Sequence, residues 1–142
     1  MTAQTQLGPI AITLVYLLVY YAFMIRQMWV KFTLSRSYAT RGEKFDRYFG
    51  QDREMLAADR VLLNMHEHMT PFLALLWLHA VFVGPTGATV GGAVYVGSRL
   101  AYPLLLGPRL GRWIPARLTI ATGTGYLVLL YLLGAVGWAL VR

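Results

Sequence analysis

The chain has 142 residues, of which 57% are hydrophobic and only 13% charged. A soluble domain carries roughly a quarter charged residues, so the composition excludes an ordinary water-soluble fold and points to one integral membrane domain over residues 1–142. The net charge of +7 comes without a basic helix or aromatic platform, which excludes nucleic acid as a partner, and the lack of cysteine excludes disulfides and thiolate metal sites.

Leu7 to Ile25 is uncharged and ends at Arg26. At about 1.5 Å per residue it is long enough to cross the hydrocarbon core. Basic residues follow it where a signal peptide would have a small-residue cleavage site, so it reads as a retained first helix, over about 7–29. Tyr16, Tyr20, Tyr21 and Trp29 are available as interface anchors. Residues 26–60 form the hydrophilic segment, expected as an ordered loop with short helical turns.

Between Met69 and Ser98 there is no charged residue, and Gly84-Pro85-Thr86-Gly87 interrupts the span with a turn signal. This predicts a second helix over about 55–83 and a third over about 88–107, with Pro71 and Pro103 as expected kinks. Gly107-Pro108 stops the third helix. The next loop carries Arg109, Arg112 and Arg117, and a fourth helix follows over about 116–141. Its Gly123, Gly125, Gly134 and Gly137 would permit close helix approach. The expected fold is an all-α bundle of four transmembrane helices. The two basic loops are expected on the cytoplasmic side and both termini outside.

Arg60, Asn64, Glu67 and Pro71 fall at i, i+4, i+7 and i+11, within a narrow stripe of one helix face. Tyr95, Arg99 and Tyr102 give the third helix its own polar stripe. Arg99 lies about 18 Å along the helix from the uncharged turn, deep in the membrane, where a charged group must find a partner or a water-filled cavity. Glu67 is the only acid outside the first loop, at a height within about 7 Å of Arg99, and is the expected partner. Two facing stripes predict a pocket open to the cytoplasmic side. A structural Arg–Glu bridge that fixes helix register is the plainer alternative. His66, Glu67 and His68 point in different directions around a helix, so no metal is expected there. His79, in the apolar part of the helix, is expected to make a hydrogen bond between helices. A small multidrug transporter also has four helices and one intramembrane Glu, but it does not account for Arg99 or the long basic loop.

Arg60-x-x-x-Asn64-x-x-Glu67 followed by Pro71-Phe72-Leu73 resembles the second helix of the membrane-associated proteins in eicosanoid and glutathione metabolism, the MAPEG family. Ala93-Val-Tyr-Val-Gly-Ser-Arg99-Leu-Ala-Tyr102 is similar to that family's third helix, particularly in its leukotriene C4 synthase and microsomal glutathione transferase branch. The resemblance implies a homotrimer with glutathione as co-substrate, no metal, and a lipophilic electrophile as the second substrate, in a bacterial inner membrane. It implies glutathione contacts from Arg60, Asn64, Glu67, Arg99 and Tyr102, with His68 where some members have tyrosine and with Tyr95 on the same stripe. Either Arg112 or Arg117 would stabilise the thiolate. A non-catalytic, lipid-binding or scaffolding member of the family is the alternative.

Overall fold

The computed structural model describes residues 3–113 and 115–142; Met1, Thr2 and Ile114 of the expected 1–142 domain lie outside that description. After one 3-10 turn over Ala3–Gln6, the chain forms α1 (Leu7–Thr40), α2 (Arg53–Phe82), α3 (Pro85–Leu106) and α4 (Leu118–Leu140). No strand occurs among the described residues. The fold is the expected four-helix bundle.

One boundary differs from expectation. The first helix does not end near Trp29 but continues through the basic residues to Thr40, reaching 34 residues, or about 51 Å. No Gly or Pro occurs between Pro9 and Gly42, so nothing in the sequence stops the helix when it leaves the apolar span. Gly42 stops it. At φ +73° it lets its own N–H reach Ala39 O at 3.1 Å while Glu43 N–H reaches Tyr38 O at 3.0 Å, a Schellman ending. The loop left between α1 and α2 is correspondingly short.

That loop is tied down by polar contacts outside the apolar spans. Arg47 forks onto Asp59 of α2 through two hydrogen bonds of 2.9 and 2.8 Å, and Gln27 of α1 donates to the same carboxylate at 2.6 Å. Asp52 caps α2 by accepting from the Glu54 and Met55 amides at 3.0 Å each. At the opposite, uncharged end, α2 and α3 are joined through Gly84, and Pro85 opens α3 at the first-turn position that proline favours. Both Pro71 and Pro103 are accommodated inside continuous helices.

Helices α1 and α4 flank the α2–α3 pair. The core is an aromatic cluster with one ring from each of the first three helices. Phe72 stacks on Tyr95 at 4.0 Å, Tyr16 lies 5.0 Å from Phe72, and Val128 and Leu132 close the cluster from α4. Tyr16 is therefore a core residue and not the interface anchor its position predicts; its hydroxyl donates to Met65 O at 2.9 Å. Trp29 and Tyr21 do remain exposed. Helices α1 and α4 are long and apolar enough to cross a membrane and bury little of that span inside the bundle, so their apolar faces look outward.

Candidate functional site

Arg99 is the largest side chain buried in the molecule, at 2% exposure. The spacing of Tyr95, Arg99 and Tyr102 puts all three on the inward face of α3, and all three are buried. The guanidinium lies 4.8 Å over the Tyr95 ring. Its Nη1 donates to Asn64 Oδ1 at 2.5 Å, and Nη2 and Nε reach Ala121 O and Ser98 Oγ at 3.4 Å. Arg99 thus draws on α2, α3 and α4 at once.

Room for it comes from α4. A Cβ on Gly125 would run into Nη2 of Arg99, so only glycine fits there beside the guanidinium. Of the four α4 glycines expected to permit close approach, Gly125 alone does so in the chain; Gly123, Gly134 and Gly137 have open space beside them. Gly125, Ser98 and the Ala121 carbonyl were not legible as parts of the site. The only signal was small residues at buried positions.

The expected Arg99–Glu67 pair does not form. The ion pairs among the described residues are Arg41–Glu43, Arg47–Asp59 and Arg109–Glu54. Glu67 is exposed on the outward face of α2, as are Arg60 and Pro71, while Asn64 alone of that stripe turns inward. Three residues of helix rotate a side chain by about 60° off its predecessor's direction, enough to separate Asn64 from Glu67. The expected cleft is likewise closed within the single chain, since Arg99, Tyr95 and Tyr102 are sealed.

Arg99 is a buried cation with neutral partners only. Desolvating a guanidinium costs several kcal/mol, which an amide, a carbonyl and a ring face offset incompletely. Asn64 presents its oxygen to Arg99, which leaves its amide hydrogens as donors, and the Tyr95 hydroxyl is buried without a partner. The centre therefore offers several unused donors and a net positive charge, the complement of a carboxylate.

The remaining candidates surround this centre. His68 is half-buried with its ring edge-on to Tyr126 of α4 at 5.0 Å. Tyr102 packs toward the basic end with Ala57, Val61, Leu106, Leu118 and Ala121. Arg117 precedes α4 and donates through Nε to Leu105 O at 2.8 Å, and Arg112 is exposed in the α3–α4 loop. That loop is held to the start of α2: Arg53 Nε donates to Leu110 O at 2.7 Å, and the Leu110 amide returns a bond to Arg53 O at 2.8 Å.

Four helices, two of them with the length and apolarity of membrane spans, around a buried Asn–Arg centre define a membrane helical bundle. The profile of the MAPEG family matches residues 9–138, and the chain belongs to that family. No curated protein matches it.

Proposed function

We propose that the protein is a glutathione-dependent transferase or peroxidase that acts on lipophilic electrophiles arriving from the bilayer. One observation carries this: Arg99 is a buried cation with no carboxylate beside it, in a chain of a family that includes glutathione transferases, peroxidases and synthases. Glutathione supplies two carboxylates and one ammonium. A carboxylate satisfies Arg99 and the free Asn64 amide hydrogens, Arg60 takes the other, and Glu67 holds the ammonium. Tyr95, Tyr102 and His68 line the same region. Arg112 or Arg117, at the basic end, favours the thiolate, which is the nucleophile.

In this reading a second copy of the chain completes the site. Arg60, Leu63, Glu67, Thr70, Ala74, Leu78 and Val81 are all exposed, at three- and four-residue spacing along one outward stripe of α2. That is the periodicity of a helix seam, and a carboxylate on it is too costly to leave facing lipid. Packing α2 against its symmetry mates in a homotrimer covers the stripe and places glutathione between subunits, with the basic loops cytoplasmic. In the reaction the cysteinyl thiol of glutathione loses its proton, and the thiolate attacks the electrophilic carbon. The carbon–sulfur bond forms as the leaving group departs with its electron pair.

The sealed state of Arg99 in the single chain favours a second reading, a non-catalytic lipid-binding or scaffolding member of the family. The two separate cleanly. Purified protein with millimolar glutathione should develop thiolate absorbance and turn over a chloronitrobenzene. Lipid co-purification with neither signal would overturn the transferase reading.

A further inference from the structure

The basic end of α1 carries a surface that the glutathione reading does not use. Gln27 and Tyr38 turn toward α2, where they donate to Asp59 at 2.6 Å and to Asp52 at 3.0 Å. At about 100° per residue, Ile25, Met28, Trp29, Phe32, Thr33 and Arg36 form one stripe on the opposite side of the helix. All six are exposed, and together they line a groove of about 320 Å³.

Polarity along this groove has an order. Counted from Leu7, Ile25 lies about 27 Å along the axis, at the edge of a hydrocarbon core roughly 30 Å thick. Arg36 lies about 44 Å along, at the outer limit of the headgroups. Ile25 and Met28 therefore stand nearest the bilayer centre, the rings of Trp29 and Phe32 follow, and Thr33 and Arg36 come last. Trp29 and Phe32 are 70% and 56% exposed, aromatic area that suits the membrane interface and not water. Helical side chains lean toward the N-terminus, so Arg36 reaches back over Thr33 and Trp29. A guanidinium, a hydroxyl and an indole N–H thus meet at the headgroup end.

Charge along α1 has one sign. No acid precedes Glu43 in the sequence, so Arg26, Lys31 and Arg36 share the helix with no carboxylate. Arg26 follows Ile25 and Lys31 precedes Phe32, so the two flank the stripe, each turned about 100° off it to opposite sides. Among the described residues, Arg26 and Arg36 have no side-chain partner, and Lys31 has only the Phe32 ring, 5.8 Å away. Asp52 and Glu54, which share a second pocket with Thr33, are engaged by Tyr38 and Arg109.

We propose that this stripe holds an anionic phospholipid of the leaflet at the basic end of the bundle, of the phosphatidylglycerol type. The phosphate accepts from Arg36, Thr33 and Trp29, and an acyl chain runs back along Phe32, Met28 and Ile25 toward the bilayer centre. Charge complementarity selects the class. A phosphatidylcholine headgroup would bring its own cation among three others, and a neutral lipid would leave them without a counter-ion. The site faces away from α2 and is independent of Arg99 and of glutathione.

The test uses the intact protein in phosphatidylcholine nanodiscs with a trace of lipid carrying a photoactivatable diazirine high in one acyl chain. Two probes are compared, phosphatidylglycerol and phosphatidylcholine. On residues 25–33 the first should label at least about five-fold more than the second, the factor for one basic residue at a membrane surface, measured against their ratio on residues 127–133 of α4. Arg36→Gln should remove most of that enrichment, whereas Lys44→Gln, which takes the same charge from the α1–α2 loop, should keep it. Millimolar glycerol phosphate should not displace the label. The wild-type ratio needs no variant, so an Arg36→Gln protein that fails to fold leaves the test decisive. Equal labelling by the two probes, equal losses from Arg36→Gln and Lys44→Gln, or displacement by glycerol phosphate would overturn the proposal. So would the absence of label from 25–33, which would mean that another copy or another protein covers the stripe.

Discussion

Asn64 and Glu67 lie one helical turn apart on α2, yet one closes the core around Arg99 and the other stands on the outer surface of the chain. The inward face of α2 is covered: Asn64, Met65, Phe72, Leu76 and His79 are all buried. The outward face, from Arg60 through Glu67 to Val81, is not. A polar side chain on a membrane helix therefore does not announce its partner. Its direction decides whether it completes its own bundle or waits for a ligand or a second copy.

The sharpest way to break the inward face is from α4. Gly125→Leu drives a side chain into the guanidinium and should pull Arg99 off Asn64, at a cost of about 3–5 kcal/mol, the range for stranding a buried charge. Thermal unfolding in detergent should show a larger loss for this variant than for Asn64→Leu, Glu67→Gln or Arg47→Ala. Asn64→Leu keeps the branched shape but removes the one close acceptor of Arg99, and about 1–3 kcal/mol should go with it. The outward face should answer differently. Glu67→Gln should leave the unliganded protein within about 0.5 kcal/mol of wild type. Glutathione affinity should fall about ten- to a hundred-fold, measured by titration of the thiolate absorbance, through loss of a charge-assisted hydrogen bond. A large thermal loss with unchanged affinity would make Glu67 a packing residue and dissolve the contrast between the two faces.

Smaller effects are expected beyond the bundle. The Arg47–Asp59 fork is partly exposed, so Arg47→Ala should cost no more than about 1 kcal/mol, and less at high salt. In the same loop, Asp46 accepts from the Phe49 and Tyr48 amides at 2.9 and 3.0 Å, which holds its carboxyl below the usual carboxylate range. Its contribution to the turn is then complete above the ordinary aspartate range and is lost as pH falls through the depressed value. Protection of the Tyr48 and Phe49 amides, measured relative to the intrinsic exchange rate at each pH, should fall on acidification, with no change in protection at Arg99.

Much of this was legible in the residues and some was not, for physical reasons. The helix count, the turn at Gly84 and the inward stripe on α3 follow from hydropathy, glycine–proline punctuation and the 3.6-residue period. The extension of α1 to Thr40 was missed because hydropathy reports the solvent around a helix, whereas helix termination is set by Gly42. The partner of Arg99 was missed for another reason. Depth along a helix axis can be counted from sequence, and Glu67 does lie near the right height. The angle around the axis is fixed only by packing, and Asn64 faces inward where Glu67 does not. Gly125 is readable from the sequence as one of four small residues for close approach on α4, but not as the one that seats a guanidinium.

On the proposed function a bound anion, and not Glu67, neutralises Arg99. It is tested most directly by changing the ligand and leaving the protein intact. Thermal unfolding of the wild-type protein would be followed with glutathione and with its diethyl ester, which keeps the thiol and the ammonium but has no free carboxylate. Glutathione should raise the melting temperature in a saturable way, and the ester should require at least about ten-fold more ligand for the same shift, from the loss of charge-assisted bonds to Arg99 and Arg60. Equal shifts from the two ligands, or none from glutathione at millimolar concentration, would contradict it.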